Sequence, residues 1–465
     1  MASSAINDTP SDTRPSEAAA DEEEEESMPL LPQVSQGREG EQMISPHRAL
    51  MGLLKAMVGP GCLSLPYGWM KAGVWVSMGT TLLIGLLNLY CSLQLVRTAH
   101  HLCRVSGRSA LDYGHFAKKV FDHGPSESLK KYSKTIMYIV NAANIFYQVG
   151  VCAIQIVFMA TNMKDLVTAI EDRTLDMRIY ATAVLIPVVA VNLIRELRVL
   201  AILAGIANFF LLIGIIIILQ ACIRQPSQVN TLPAATNFYD SMLLVGTAMY
   251  AFEGQAAILP MENKLRDPRE MVNNCGVVPA NMGIVTVIFT ALGFFGYVAY
   301  GDRVQGTITL NLPKEPFYQT INVTLVLAAY IGHVVNLYVV VEMLWPGLRR
   351  KSRLRWPILA NYELHLEIAF RIFLVLGTYA LAVLVPRVEL IVPLIGITAG
   401  ILIAFIFPPL FEILAFWDSW REEKSRWYIG WKLGSNGVLM LIGTFVMVFG
   451  TYQNMYVIYE TIYST

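Results

Sequence analysis

The stretch Val58-Gly59-Pro60-Gly61-Cys62-Leu63-Ser64-Leu65-Pro66 decides how this sequence is read. It interrupts an apolar segment, Arg48–Met70, that is otherwise suited to a membrane helix. Pro60 removes a backbone donor and ends a first half-helix. Gly59 and Gly61 let a ligand come close to the backbone. A second half-helix then starts near Gly61, with free N–H groups and a positive dipole end suited to a carboxylate. Unwound backbone in hydrocarbon leaves polar groups without partners, at several kcal/mol each. A break there is tolerable where a substrate, ion or water fills the gap. The bland alternative, a Pro/Gly kink that binds nothing, carries equal weight on this stretch alone.

The rest of the chain supplies the membrane context. Only 15% of the 465 residues are charged, against roughly 25% in a soluble globular protein. The mean hydropathy is +0.49. Val74–Val96, Thr135–Met163, Val199–Ile223, Cys275–Tyr300, Leu390–Phe411 and Leu433–Tyr459 contain no Asp, Glu, Lys or Arg. Each can supply the roughly 20 residues of a spanning helix. Pro316–Val341 carries one ionisable residue, His333. Ile179–Ile194 is shorter, and His365–Pro386 crosses if Arg371 snorkels to the interface. With Arg48–Met70 and Asp240–Pro260 the count is eleven. The expected fold is an all-α integral membrane protein of eleven transmembrane helices over residues 48–465.

Lys and Arg set the expected orientation. With the N-terminus in the cytoplasm, loop 97–134 carries Arg97, Arg104, Arg108, Lys118, Lys119, Lys130, Lys131 and Lys134. Loop 346–366 is equally basic, and the opposite loops hold a scattered few. Residues 1–47 hold eleven acidic and two basic residues and little apolar matter. They read as a disordered acidic cytosolic tail without a signal peptide.

The sixth segment is interrupted at Tyr250-Ala251-Phe252-Glu253-Gly254-Gln255. Breaks at matching positions of two halves point to a transporter site. First and sixth match if the core is two repeats of five. An acid deep in the membrane is a functional candidate. Glu253 can hold a proton, pair with a cation, or cap the broken backbone. His333 is a second proton-coupling candidate, shared with the reading of a packed helix–helix hydrogen bond. Asn141, Asn144, Tyr147 and Gln148 lie at near-helical spacing on the third segment and either face the cavity or bond between helices. The expected substrate-binding set is Gly59, Pro60, Gly61, Cys62, Leu63, Ser64, Tyr147, Tyr250, Ala251, Phe252 and Gly254. The cysteines lack metal spacing, and no Walker A, HExxH or GxSxG sequence occurs. ATP-driven transport, hydrolysis, a metal and a cofactor have no support. A net charge of zero gives no nucleic-acid footprint.

Several stretches together resemble the proton-coupled amino acid transporters, within the amino acid/auxin permease superfamily. They are Leu53-Leu54-Lys55 through Leu65-Pro66, Ile194-Arg195-Glu196-Leu197-Arg198, Ala251-Phe252-Glu253-Gly254, Leu259-Pro260-Met261-Glu262-Asn263-Lys264, Gly306 to Pro313, and Tyr338 to Glu342. They run in family order over about residues 48–458. The resemblance implies a LeuT-like five-plus-five inverted repeat with helices 1 and 6 broken and an extra C-terminal helix. It also implies secondary active transport of small neutral amino acids by alternating access, with protons as common co-substrate. It puts the amino-acid carboxylate on the first break and the ammonium near carbonyls of the sixth. One position departs: proton-coupled members carry His where this chain has Gly52, which cannot titrate. A different class of function, an amino-acid-sensing receptor with little or no net transport, uses the same site.

The tail holds Glu26-Ser27-Met28-Pro29-Leu30-Leu31, an acidic dileucine pattern read by adaptor proteins. The expected location is therefore the lysosomal or endosomal membrane rather than the plasma membrane.

Overall fold

The computed structural model describes residues 43–106, 112–171, 175–195, 197–355, 362–385 and 387–463. The tail pattern Glu26, Leu30 and Leu31 lies outside them. Among the described residues the protein is all-helical, apart from one parallel bridge between Ile44 and Leu265. The fold class agrees with the sequence.

The first span is α1 (Pro46–Met57), a 3-10 turn (Pro60–Ser64) and α2 (Leu65–Ala72), with a bend of 49° at the break. Then follow α3 (Val74–Ser106), α4 (Tyr113–Asp122), α5 (Glu127–Lys130), α6 (Ser133–Glu171), α7 (Met177–Asn192) and α8 (Leu197–Arg224). The sixth span is α9 (Phe238–Phe252) and α10 (Gln255–Asn263), followed by α11 (Val277–Tyr300) and α12 (Pro316–Arg355). The chain ends with α13 (Glu363–Leu384), α14 (Val388–Ile395), two π-helical turns (Gly396–Gly400 and Leu402–Ile406), α15 (Phe407–Glu423) and α16 (Arg426–Tyr463).

Nine of the described helices are long and apolar enough to cross a membrane, and the bent first pair makes ten. The eleventh expected crossing is α7, which has 16 residues. At 1.5 Å per residue it is about 24 Å long, short of the roughly 30 Å hydrocarbon core. Several helices outrun their apolar runs. α12 continues to Arg355, so much of the expected basic loop 346–366 is helix. The expected loop 97–134 holds the end of α3 and the amphipathic α4, whose Phe116, Val120 and Phe121 are buried. Asp112 caps α4 by accepting from the His115 N–H at 2.7 Å.

Arg371 does not snorkel. It is buried on α13 and pairs with Glu367 one turn earlier at 2.9 Å. Arg195 takes the other Glu367 oxygen at 2.5 Å. The guanidinium has a partner within the bundle, so it need not reach water.

Two close approaches bring the broken span to the core. A Cβ on Gly396 would lie 1.9 Å from the Gly246 carbonyl oxygen, and one on Gly246 2.5 Å from the Pro393 carbonyl oxygen. α9 and the first π-turn therefore touch backbone to backbone, which only glycine permits. The wide turns free carbonyls from their usual partners. The Tyr113 hydroxyl donates to the Ile403 carbonyl at 3.0 Å, and Gln255 Nε2 to that of Ala404 at 3.3 Å.

Candidate functional site

Both interruptions form where the sequence puts them. α1 stops at Met57, because Pro60 cannot continue the hydrogen-bond ladder. Gly59 is extended, with φ −132° and ψ 176°. The chain re-enters helix through the 3-10 turn, where the Cys62 N–H donates to the Gly59 carbonyl at 3.2 Å. α9 stops at Phe252, and Glu253 leaves helical geometry at φ −69°, ψ 128°. The Glu253 side chain then turns back. Its Oε1 accepts from the Gln255 N–H at 3.0 Å, capping α10 in place of the missing helical turn. Oε2 has no hydrogen-bond partner, although the residue is only 5% exposed.

The two breaks face each other. α2 packs on α9, and α1 on α10. A Cβ on Gly61 would sit 1.8 Å from Tyr250 Cε1, and one on Gly254 2.5 Å from the Met57 methyl. Tyr147 on α6 closes the group: its hydroxyl donates to the Tyr250 carbonyl at 3.0 Å, and the two rings lie 5.9 Å apart.

A cavity of about 370 Å³ opens between the breaks. Gly59, Pro60, Gly61, Cys62, Tyr147, Tyr250, Ala251, Glu253 and Gly254 all line it. The remaining walls come from α1 (Gly52, Lys55), α10 (Ala256, Ala257), α8 (Ala204, Asn208) and α12 (Gly332, Asn336). No residue of α2 lines it, and α9 contributes only Tyr250 and Ala251. The cavity therefore extends from the breaks towards the end of the bundle that holds the start of α1. Beyond the breaks, the path along α2 is packed. Trp69 is fully buried and meets Phe294 edge-on at 6.2 Å, and Pro66 fits against Gly296.

Four expected residues are not on the wall. Leu63 and Ser64 are buried at the end of the 3-10 turn, and Phe252 packs on Phe289 with centroids 5.1 Å apart. His333 is fully buried on the far side of α12. Its Nδ1 lies 3.1 Å from Asn192 Nδ2, and its Nε2 3.3 Å from Thr378 Oγ1. It joins α12 to α7 and α13, as a helix–helix hydrogen bond would.

Four polar residues of the described cavity wall are not singled out for binding by the sequence: Gln155, Asn208, Asn336 and Lys55. Gln148, Val151 and Gln155 follow one face of α6 at helical spacing, so Gln155 is within reach of the pattern that gives Tyr147 and Gln148. Asn208 stands alone in an apolar run, and nothing in its neighbours marks it.

The chemistry of the cavity is sparse. Among the described residues, Lys55 and Glu253 are its two ionisable side chains other than tyrosine and cysteine. The first turn after Gly59 offers backbone donors, because the first N–H groups of a helix lack intrahelical partners. The end of α9 offers backbone carbonyls for the same reason. Donors on one break and acceptors on the other suit a small zwitterion.

The family model described as "Transmembrane amino acid transporter protein" matches residues 42–456. The chain is 42% identical over 421 residues to "Probable amino acid transporter skat-1" of Caenorhabditis elegans, covering 90% of this chain and 91% of that one. It is 28% identical over 414 residues to "Proton-coupled amino acid transporter-like protein pathetic" of Drosophila melanogaster, covering 87% and 83%. Among solved structures it is similar to Mhp1, a nucleobase-cation-symport-1 family transporter in a closed conformation, at 12% identity and a TM-score of 0.49, covering 93% and 97%. The family match spans nearly all of the helical bundle and both breaks, and the protein belongs to the transmembrane amino acid transporter family.

Proposed function

We propose that this multi-pass membrane protein, a transporter rather than an enzyme, moves small neutral amino acids by alternating access at the two breaks. The observation that carries the reading is the cavity between them, lined by the first turn after Gly59 on one side and the end of α9 on the other. The carboxylate sits on the backbone after Gly59, and the ammonium near Tyr250 and Ala251. The side chain points towards Gly332 and the alanines of α8, beside the uncharged amides of Gln155 and Asn208. Smallness follows from Gly61, where the Tyr250 ring leaves no room for a Cβ.

The cavity extends towards one end of the bundle, and its path to the other is plugged at Trp69 and Pro66. With the N-terminus in the cytoplasm, as the basic loops favour, this arrangement is the inward-facing state. Two five-helix repeats, each starting with a broken helix, and an eleventh span α16 complete the account, with α7 crossing a locally thinned bilayer.

Glu253 is the proton site in this reading. Its Oε1 is held by the start of α10, and its unpartnered Oε2 can take a proton without breaking that cap. Protonation removes a negative charge beside the bound zwitterion, so proton and substrate affinities are linked in both directions. Coupling here needs no His at position 52. Sorting through Glu26, Leu30 and Leu31 places the protein in endosomes or lysosomes, with adaptor proteins as partners.

The test is uptake of a panel of amino acids into proteoliposomes with and without a pH gradient. Small neutral amino acids should enter, faster with a gradient. Preference for charged or large substrates would refute the reading of the cavity, and indifference to pH would refute that of Glu253.

A further inference from the structure

A second cavity of about 150 Å³ lies at the other end of the bundle, between α6, α12 and the chain at Leu312 to Lys314. It is separate from the central one. Val326 lines this cavity and Val335 the central one. They are nine residues apart on α12, so at 3.6 residues per turn they lie on opposite faces of the helix.

Its polar groups are unusual for so apolar a region. Asn162 Nδ2 donates to the Phe158 carbonyl at 2.8 Å, and Asn322 Nδ2 to that of Thr309 at 3.1 Å. Because each amide nitrogen faces a carbonyl, each Oδ1 is fixed as the free atom. Neither oxygen has a hydrogen-bond partner, and Asn162 is only 5% exposed. Leaving a buried acceptor unpaired costs about 1–3 kcal/mol, so two in one pocket call for a donor. Asp165 and Lys314 also line the pocket, and their charged atoms are 3.7 Å apart. That separation exceeds the 2.7–2.9 Å typical of a charge-assisted hydrogen bond. The pair is loose enough for a ligand to enter.

We propose that this pocket is a second, peripheral amino-acid site. The ligand's ammonium takes Asn162 Oδ1, Asn322 Oδ1 and the Asp165 carboxylate. Its carboxylate takes the Lys314 ammonium. A short aliphatic side chain lies against Met159 and Met163. The pocket presents acceptors and one cation side by side, which matches a zwitterion better than a simple anion, cation or hydroxyl. A site at this end meets amino acid on the side opposite the opening of the central cavity. The assignment rests on the chemistry of this pocket alone, so it stands or falls separately from the central site.

The test is equilibrium binding of tritiated L-alanine, L-valine and L-leucine, each alone, to the full-length protein in nanodiscs. At least one should bind at two molecules per chain. Asn162→Leu should reduce this to one, and Lys314→Met should weaken one of the two sites about tenfold, the worth of one charge-assisted hydrogen bond. Gly61→Val should remove the other site and leave the Asn162-dependent one. Should Gly61→Val fail to fold, wild type against Asn162→Leu decides the matter. One site per chain in the wild type, or two in Asn162→Leu, overturns the proposal. So does a lipid that co-purifies with wild type in native mass spectra and is lost from Asn162→Leu.

Discussion

Gly61→Ala is the smallest change that reaches the central site. The added Cβ would lie 1.8 Å from Tyr250 Cε1 and 2.6 Å from Cδ1. Carbon atoms rest at 3.5–4.0 Å, so the ring must retreat by about 1.7 Å or more. Tyr147 stands 5.9 Å away, centroid to centroid, so the ring retreats at the expense of the cavity it lines. Overpacking of this kind costs about 1–3 kcal/mol. If the strain falls on the bound state, affinity drops roughly 5-fold to 150-fold. Gly377→Ala is the control, since a Cβ there meets nothing within 4 Å and α13 does not line the cavity. It should change affinity by no more than about twofold. Adding Tyr250→Leu to Gly61→Ala should return part of the loss, a coupling that a double-mutant cycle measures. The assay is scintillation-proximity binding of the transported amino acid, with thermal melting run alongside to separate binding from stability. Wild-type affinity in Gly61→Ala, or equal damage from Gly377→Ala, would refute the argument.

Glu253→Gln keeps the cap on α10 and cannot titrate. It should still exchange amino acid for amino acid in proteoliposomes but lose accumulation driven by a pH gradient; retained accumulation would exclude Glu253 as the coupling group. Changing Leu30 and Leu31 to Ala should raise the surface-biotinylated fraction of the protein, and unchanged endolysosomal residence would mean that the pattern is idle. Arg371→Met leaves Glu367 with Arg195 alone. It should lower thermal stability by roughly 3 kcal/mol, the low end for breaking a buried pair, and Glu367→Gln in the same chain should return part of it.

The breaks are legible because the residues that make them have strong backbone preferences. Pro60 between two glycines cannot continue a helix, and an acid beside Gly254 in an apolar run is costly unless the backbone opens to meet it. The cavity's inventory is less so. Tyr147 shows in the sequence as one polar residue among four, and only packing puts its hydroxyl on the Tyr250 carbonyl. Leu63, Ser64 and Phe252 sit in the broken stretches but on their buried faces, since a helical turn presents only part of its residues to any cavity. His333 has the composition of a proton carrier and the surroundings of a structural contact, and those surroundings come from α7 and α13, far away in the chain. Arg371 departs from its expected place for a related reason. Its partner Glu367 is one turn away and visible, but its burial depends on Asn192 and Arg195. The π-turns at Gly396–Ile406 have small residues in their favour, yet hydropathy sees one uninterrupted span. Glu26, Leu30 and Leu31 rest on sequence pattern alone.

The central claim is that an amino acid bound between the breaks crosses the membrane instead of only being sensed there. Counterflow tests it most directly. Proteoliposomes are loaded with unlabelled substrate and diluted into a trace of labelled substrate, with no ion gradient. A transporter exchanges label inwards, so internal label should rise well above the amount of protein present and then decay. Gly61→Val, with its site blocked, should show no such rise. Label that never exceeds one or two molecules per chain would contradict the account and identify a receptor.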